Sequence, residues 1–129
     1  MNPKQFLTLG GIILVLVAVL GYVGIIGPTA DQSIFGGAWY FDNAENVAHL
    51  VLGVVALIAA FALGASVQKP LTIVVGVVAL FFAVYNVFST TFLSANLESP
   101  LDLLLHLVVC VWALYSGLNK KSAMMGAAM

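Results

Sequence analysis

The chain has 129 residues, of which 63% are hydrophobic and only 7% are charged, and its formal net charge is -1. A soluble domain of this size needs roughly 25% charged residues to cover its large surface, so the composition excludes an ordinary water-soluble fold. It also carries no basic patch that would support nucleic-acid binding. We therefore expect a single domain whose partner is the lipid bilayer.

Four apolar stretches follow one another, at about residues 6–26, 44–67, 71–92 and 101–118, ahead of a small flexible tail at 122–129. A helix that crosses the hydrocarbon core needs about 20 mostly apolar residues, and each stretch is expected to cross once. The fourth is slightly short and contains Asp102 and His106, but its other residues are apolar. A short turn at Gln68, Lys69 and Pro70 is predicted between the second and third helices. The predicted fold is all-α, a transmembrane up-down-up-down four-helix bundle.

The charged side chains divide between the two predicted ends of this bundle. The lysines lie at the N-terminus, in the predicted turn between helices 2 and 3, and at the C-terminus: Lys4, Lys69, Lys120 and Lys121. The acids lie in or beside the other two connections: Asp31, Asp42, Glu45, Glu98 and Asp102. Because lysine is retained on the cytoplasmic side of membranes, we expect both termini in the cytoplasm.

Helices 2 and 4 share a short pattern, in which a carboxylate is followed after three residues by His-Leu-Val. The carboxylate and histidine are Glu45 and His49 in helix 2, and Asp102 and His106 in helix 4. The match indicates a tandem duplication of a helical hairpin. Small residues recur every three or four positions on one face of helices 2, 3 and 4, and such stripes let membrane helices pack closely. We therefore expect both histidines to face the interior.

The two carboxylates admit more than one interpretation. Asp42 with Glu45, and Ser99 with Asp102, have the spacing of capping boxes, in which side chains satisfy the free N–H groups at a helix start. Pro100 also suits a first helical position. Capping does not exclude a second role in binding or proton transfer, and both interpretations stay open.

His49 and His106 lie one helical turn deeper than the carboxylates, where an ionisable group is costly and often marks a site. They are either structural, hydrogen-bonded across the core to a group such as Asn86, or functional. Three functional hypotheses remain. The histidines could ligate haem b between them, they could bind a transition metal with the carboxylates, or they could form a proton or cation path with Asn86 and Tyr85.

The motif Glu45-Asn46-x-x-His49-Leu50-x-x-Gly53, followed by Asp102-x-x-x-His106-Leu107, resembles that of an uncharacterised family of four-helix bacterial membrane proteins. The resemblance covers most of the chain and implies a four-helix bundle in a bacterial-type inner membrane. It brings no catalytic residues. Cys110 departs from the repeat, where glycine would be expected.

The expected function is that of a small non-enzymatic integral membrane protein, a structural or accessory subunit that self-associates or joins a larger membrane complex. No cofactor is expected under this hypothesis. Its polar cluster near the outer side comprises Glu45, Asn46, Asn86 and Asp102, with the two histidines below. The alternatives are a haem b or metal-binding electron-transfer module based on His49 and His106, and a small proton or cation channel or transporter.

Overall fold

A computed structural model describes residues 1–118. Its four helices are α1 (Pro3–Tyr22), α2 (Asn43–Ala62), α3 (Ala65–Phe88) and α4 (Leu101–Leu118). Each is long and apolar enough to cross a membrane. The prediction of an all-α chain with four candidate membrane spans is therefore confirmed. Lys120, Lys121 and the tail predicted at 122–129 lie outside the described residues.

The connection between α2 and α3 differs from the prediction. α3 begins at Ala65, so the turn predicted at Gln68, Lys69 and Pro70 is wrong, and Pro70 lies inside the helix. The buried amide of Gln68 explains the early start. Its Nε2 donates at 2.9–3.1 Å to three backbone carbonyls at the end of α2, those of Ala59, Ala60 and Leu63. Carbonyls in the last turn of a helix lack a partner within that helix, and Gln68, in the first turn of α3, supplies one.

The other helix boundaries shift by a few residues, except in α4, which agrees with its prediction. α1 begins three residues earlier than expected, because Asn2 and Gln5 form a capping box at its start. It ends at Tyr22 rather than at 26, and α3 ends at Phe88 rather than at 92. A prediction from hydropathy alone places these helix ends too late, because the loop residues that follow are also apolar.

The helices pack as two hairpins, with α1 mainly against α2 and α3 mainly against α4. Glycines allow the close approach. A Cβ on Gly11 would lie 3.0 Å from the carbonyl oxygen of Gly53, and one on Gly76 would lie 3.2 Å from the Cβ of Ala113. The predicted inward stripes are largely confirmed by burial, at Gly53, Ala56 and Ala60 in α2, Thr72, Gly76, Ala79, Ala83 and Asn86 in α3, and Asp102, Cys110, Ala113 and Gly117 in α4.

One end of the bundle, which we call the lysine end, is closed by an apolar cluster. Phe6 of α1 packs edge-on against Trp112 of α4, with ring centroids 4.7 Å apart. Buried Leu7 and Ala113 belong to the same cluster. Lys4 and Lys69 lie in the first residues of α1 and α3.

The longer connections lie at the other end, which we call the carboxylate end. The α1–α2 connection contains two short 3-10 turns, Ala30–Gln32 and Gly36–Ala38. The α3–α4 connection forms a small antiparallel hairpin of β1 (Thr91–Phe92) and β2 (Ala95–Asn96), which was not predicted. These two connections carry the side chains whose hydrogen bonds join the hairpins at this end.

We predict that Gly21→Ala destabilises the protein whereas Gly10→Ala does not. A Cβ at Gly21 would collide with the buried amide of Asn46, but one at Gly10 would meet nothing within 4 Å. Overpacking of this kind costs about 1–3 kcal/mol, whereas alanine in an open helical position is neutral or favourable by up to about 1 kcal/mol. Thermal unfolding in detergent measures both variants, and equal midpoints would contradict the packing described for α1 and α2.

Candidate functional site at the carboxylate end

Three buried carboxylates meet at the carboxylate end. Glu45 comes from the first turn of α2, Asp102 from the first turn of α4, and Glu98 from the segment just before α4. Each offers one oxygen, and these oxygens lie within 4.8 Å of one another. We call Glu45, Glu98 and Asp102 the carboxylate cluster. The sequence singled out two of its members and missed Glu98 as a site residue.

Glu45 is held by the helix start that the sequence predicted. Asp42 is the N-cap of α2, and its side chain accepts a hydrogen bond from the backbone N–H of Glu45 at 3.0 Å. In return, Glu45 Oε2 accepts from the backbone N–H of Asp42 at 2.9 Å. The predicted capping box is confirmed, and it turns the carboxylate of Glu45 back toward the loops.

Asp102 does not form the predicted capping box with Ser99. Its Oδ2 instead accepts from the backbone N–H of Glu98 at 2.8 Å, and its Oδ1 accepts from the indole Nε1 of Trp39 at 2.9 Å. The carbonyl of Glu98 also accepts from the Asp102 N–H. Asp102 is therefore hydrogen-bonded to the backbone of Glu98 in both directions, and not to Ser99. Asp102 is 1% exposed and ties the α1–α2 connection to the start of α4.

Asn96 makes the second link between the two connections. Its backbone N–H donates to Asp42 Oδ2 at 2.6 Å, and its side-chain Nδ2 donates to the Tyr40 hydroxyl at 3.0 Å and to Glu98 Oε1 at 2.6 Å. The pairing of β1 with β2 places Asn96 opposite Thr91, which fixes its position. No periodic pattern marks this residue in the sequence.

Glu98 is the least satisfied member of the cluster. Its side chain is 8% exposed, and Oε2 is buried without a hydrogen-bond partner among residues 1–118. Burial, followed by the contact with the Asp102 carboxyl, raises the pKa of Glu98 to about 8. The neutral form of this carboxyl is therefore favoured, because burial and the neighbouring Asp102 carboxyl disfavour the negative charge more than the hydrogen bond from Asn96 stabilises it.

The histidines pack against aromatic rings below the cluster. His49 lies edge-on to Phe41, with centroids 5.6 Å apart, and His106 stacks on Phe82 at 5.4 Å. His106 Nδ1 lies 2.8 Å from the backbone carbonyl of Asp102. Since a carbonyl only accepts, Nδ1 must carry the proton. His49 Nδ1 is buried and has no partner within the described part of the chain.

The buried asparagines serve the backbone. Asn46 is 0% exposed, and its Nδ2 donates to the Phe41 carbonyl at 3.0 Å. Asn86 Nδ2 donates at 3.2 Å to the carbonyls of Ser89 and Leu97, so the suggested hydrogen bond between Asn86 and a histidine is wrong. Both side chains position the loops that surround the cluster. The haem, transition-metal and ion-path hypotheses for His49 and His106 stay predictions.

The donors around the carboxylates are uncharged. They are the indole of Trp39, the amide of Asn96 and the backbone N–H groups of Asp42, Glu45, Asn96 and Glu98. The charged groups that act on Glu45 are all acidic: Asp42, Glu98 and Asp102. Such an arrangement can cap helices and join loops, and it can also retain a proton or a cation, because its hydrogen bonds do not neutralise its charge.

We predict that the protein loses stability as pH rises from about 5 to about 9, and that Glu98→Gln makes this loss smaller. With a pKa raised to about 8, Glu98 binds a proton in the folded state that the unfolded chain has already released, so stability falls as pH rises through this range. The acidic groups around it, Asp102 of α4 and Glu45 of α2, act in the same direction.

Thermal unfolding in detergent with EDTA provides the measurement. Each kcal/mol corresponds to roughly 4–8 °C in a domain of 60–100 residues. Asp31→Asn, which alters an exposed acid in the α1–α2 connection, is the matched control and should retain the full pH dependence. A slope in Glu98→Gln as steep as in the native chain would contradict the prediction.

Comparison with known proteins adds no relative. No protein-family model, curated protein or solved structure matches this chain. The family resemblance drawn from the Glu45 and Asp102 motifs accordingly stays a prediction.

Proposed function

We propose that this is a small non-enzymatic multi-pass membrane protein, built as an up-down-up-down bundle with both termini in the cytoplasm. It acts as a structural or accessory subunit, in association with a second copy or within a larger membrane complex. Under this proposal, the carboxylate end faces outward and holds the two helical hairpins together.

The observation that carries the proposal is that the polar side chains form hydrogen bonds between the two helical hairpins. Trp39 bonds to Asp102, and Asn96 bonds to Asp42 and Tyr40. Each of these bonds joins a residue of the first hairpin to one of the second. Hydrogen bonds to charged groups stabilise by about 1.5–3 kcal/mol each, so this network favours a rigid scaffold.

Similar packing in the two hairpins supports an origin by tandem duplication. In each hairpin a glycine of the first helix, Gly11 or Gly76, sits against a small residue of the second helix, Gly53 or Ala113. In each, the histidine of the shared motif contacts an aromatic ring. A duplicated hairpin would place α2 and α4 in the same direction across the membrane.

Exposed apolar side chains on the connections favour an accessory role. Leu93, at the tip of the β1–β2 hairpin, is 92% exposed, and Ile34 and Phe35 in the α1–α2 connection are exposed as well. Such residues lie beyond the ends of the helices, where lipid chains do not cover them. We infer that these side chains contact another protein or the membrane interface.

The orientation is tested with two matched serine-to-cysteine variants, Ser66→Cys and Ser94→Cys, in a Cys110→Ala background. Both serines are exposed, with Ser66 at the start of α3 near Lys69 and Ser94 at the tip of the β1–β2 hairpin. A membrane-impermeant maleimide should label Ser94→Cys in intact spheroplasts and Ser66→Cys only after permeabilisation, because the lysines lie inside. The reverse pattern would refute the orientation.

The accessory role is tested by affinity purification in mild detergent, followed by mass determination of the complex. We expect the native chain to be recovered with a second copy or another membrane protein. Leu93→Asn should reduce this recovery, since it removes the exposed apolar side chain while asparagine tolerates the positive φ of 54° at this position. Ser94→Ala at the same tip is the control. Recovery of the native chain as a monomer throughout would refute the role.

A further inference from the structure

The carboxylate cluster brings three acidic side chains together, and among residues 1–118 no positively charged group acts on Glu45 or Glu98. Its three oxygens lie within 4.8 Å of one another, and all three side chains are buried. Lys4 and Lys69 belong to the opposite end of the bundle. Like charges in a poorly solvated site repel strongly, so the cluster favours binding of a positive ion.

A second observation points in the same direction. Glu98 Oε2 is buried and has no hydrogen-bond partner among the described residues, although its side chain is more than nine-tenths buried. A buried acceptor without a partner costs about 1–3 kcal/mol, and more when it is charged. The capping box with Asp42 explains the orientation of Glu45, and the N–H groups of Trp39 and Glu98 explain that of Asp102. Neither arrangement uses this oxygen of Glu98. An ion bound by Glu98 would satisfy it.

We propose that Glu45, Glu98 and Asp102 bind a divalent cation of the size of Ca²⁺. Carboxylate oxygens are hard ligands, which Ca²⁺ and Mg²⁺ prefer. Ca²⁺ takes its ligands at about 2.3–2.6 Å, so two oxygens on opposite sides of one ion lie up to about 5.2 Å apart. The three oxygens of the cluster, which lie within 4.8 Å of one another, fit inside this span. Mg²⁺ demands strict octahedral geometry at about 2.0–2.1 Å and usually keeps several waters, so a site built from three protein carboxylates suits Ca²⁺ better.

The existing hydrogen bonds are compatible with such an ion. A carboxylate oxygen has two lone pairs, so Asp102 can retain the N–H groups of Trp39 and Glu98 while one oxygen also contacts the cation. Water would fill the coordination positions that the three carboxylates leave, as is common for Ca²⁺. The bound ion would tie α2 to α4 more firmly, which goes beyond the structural role proposed above.

Trp39 makes the site directly measurable with Tb³⁺, a luminescent substitute for Ca²⁺. Its indole donates to Asp102 at 2.9 Å, so excitation of Trp39 should sensitise Tb³⁺ bound at the cluster. Trp112 packs against Phe6 at the lysine end and serves as the control. We expect saturable emission from the full-length protein in detergent, lost in Trp39→Phe and retained in Trp112→Phe. Ca²⁺ should displace Tb³⁺ at lower concentration than Mg²⁺.

The ligands are tested with Glu98→Gln and Asp102→Asn, against Asp31→Asn as the exposed control. We expect the two cluster variants to weaken Tb³⁺ binding at least about tenfold, the scale seen for losses at metal sites, and the control to bind normally. Glu98→Gln is decisive where Asp102→Asn fails to fold, because among residues 1–118 the Glu98 side chain accepts a single side-chain hydrogen bond, from Asn96, which glutamine can also accept. Circular dichroism and gel filtration establish folding for each variant.

Unsaturable emission, or equal affinity in Glu98→Gln and the native chain, would overturn the proposal. So would the absence of Ca²⁺ binding to the native protein by isothermal titration calorimetry. These results would leave the labelling and purification experiments unaffected, so a failed cation site is distinguishable from a failed structural role.

Discussion

Asp102 occupies the position on which the arrangement of the carboxylate end depends. Its two oxygens accept hydrogen bonds from Trp39 in one connection and from Glu98 in the other, and its helix carries His106 one turn below. Because the outward faces of the helices are apolar and suited to lipid, polar groups must find their partners within the protein. A buried carboxylate with several donors therefore organises loops that lack regular secondary structure.

The two ends of the bundle are held together by different kinds of contact. At the lysine end, Phe6, Leu7, Ala113 and Trp112 form an apolar contact, and Gln68 satisfies the carbonyls at the end of α2. At the carboxylate end, closure is polar and its charges are of one sign. The second kind of contact leaves Oε2 of Glu98, an ionisable group, buried without a hydrogen-bond partner among residues 1–118, which is why the candidate chemistry lies there.

The histidines occupy an intermediate level between the cluster and the packed small residues. Each is wedged against an aromatic ring, and His106 is oriented by a backbone carbonyl rather than by the carboxylate one turn above. This arrangement resembles the way in which proteins fix one imidazole nitrogen and leave the other available. It is equally suited to fixing the register of α2 and α4. The carboxylate cluster therefore indicates the function more specifically than the histidines do.

The sequence alone determined the membrane class, the four helices and the inward stripe of small residues, because hydropathy and helical periodicity are local properties of the chain. It also located Glu45 and its capping box, since capping depends on a spacing of three residues. Only the tertiary structure revealed Glu98, Asn96 and Trp39 as neighbours of Asp102, because they lie in connections without periodicity and are brought together by contacts between residues as many as 63 positions apart. For the same reason, the start of α3 followed from where Gln68 finds its carbonyls, and not from Pro70.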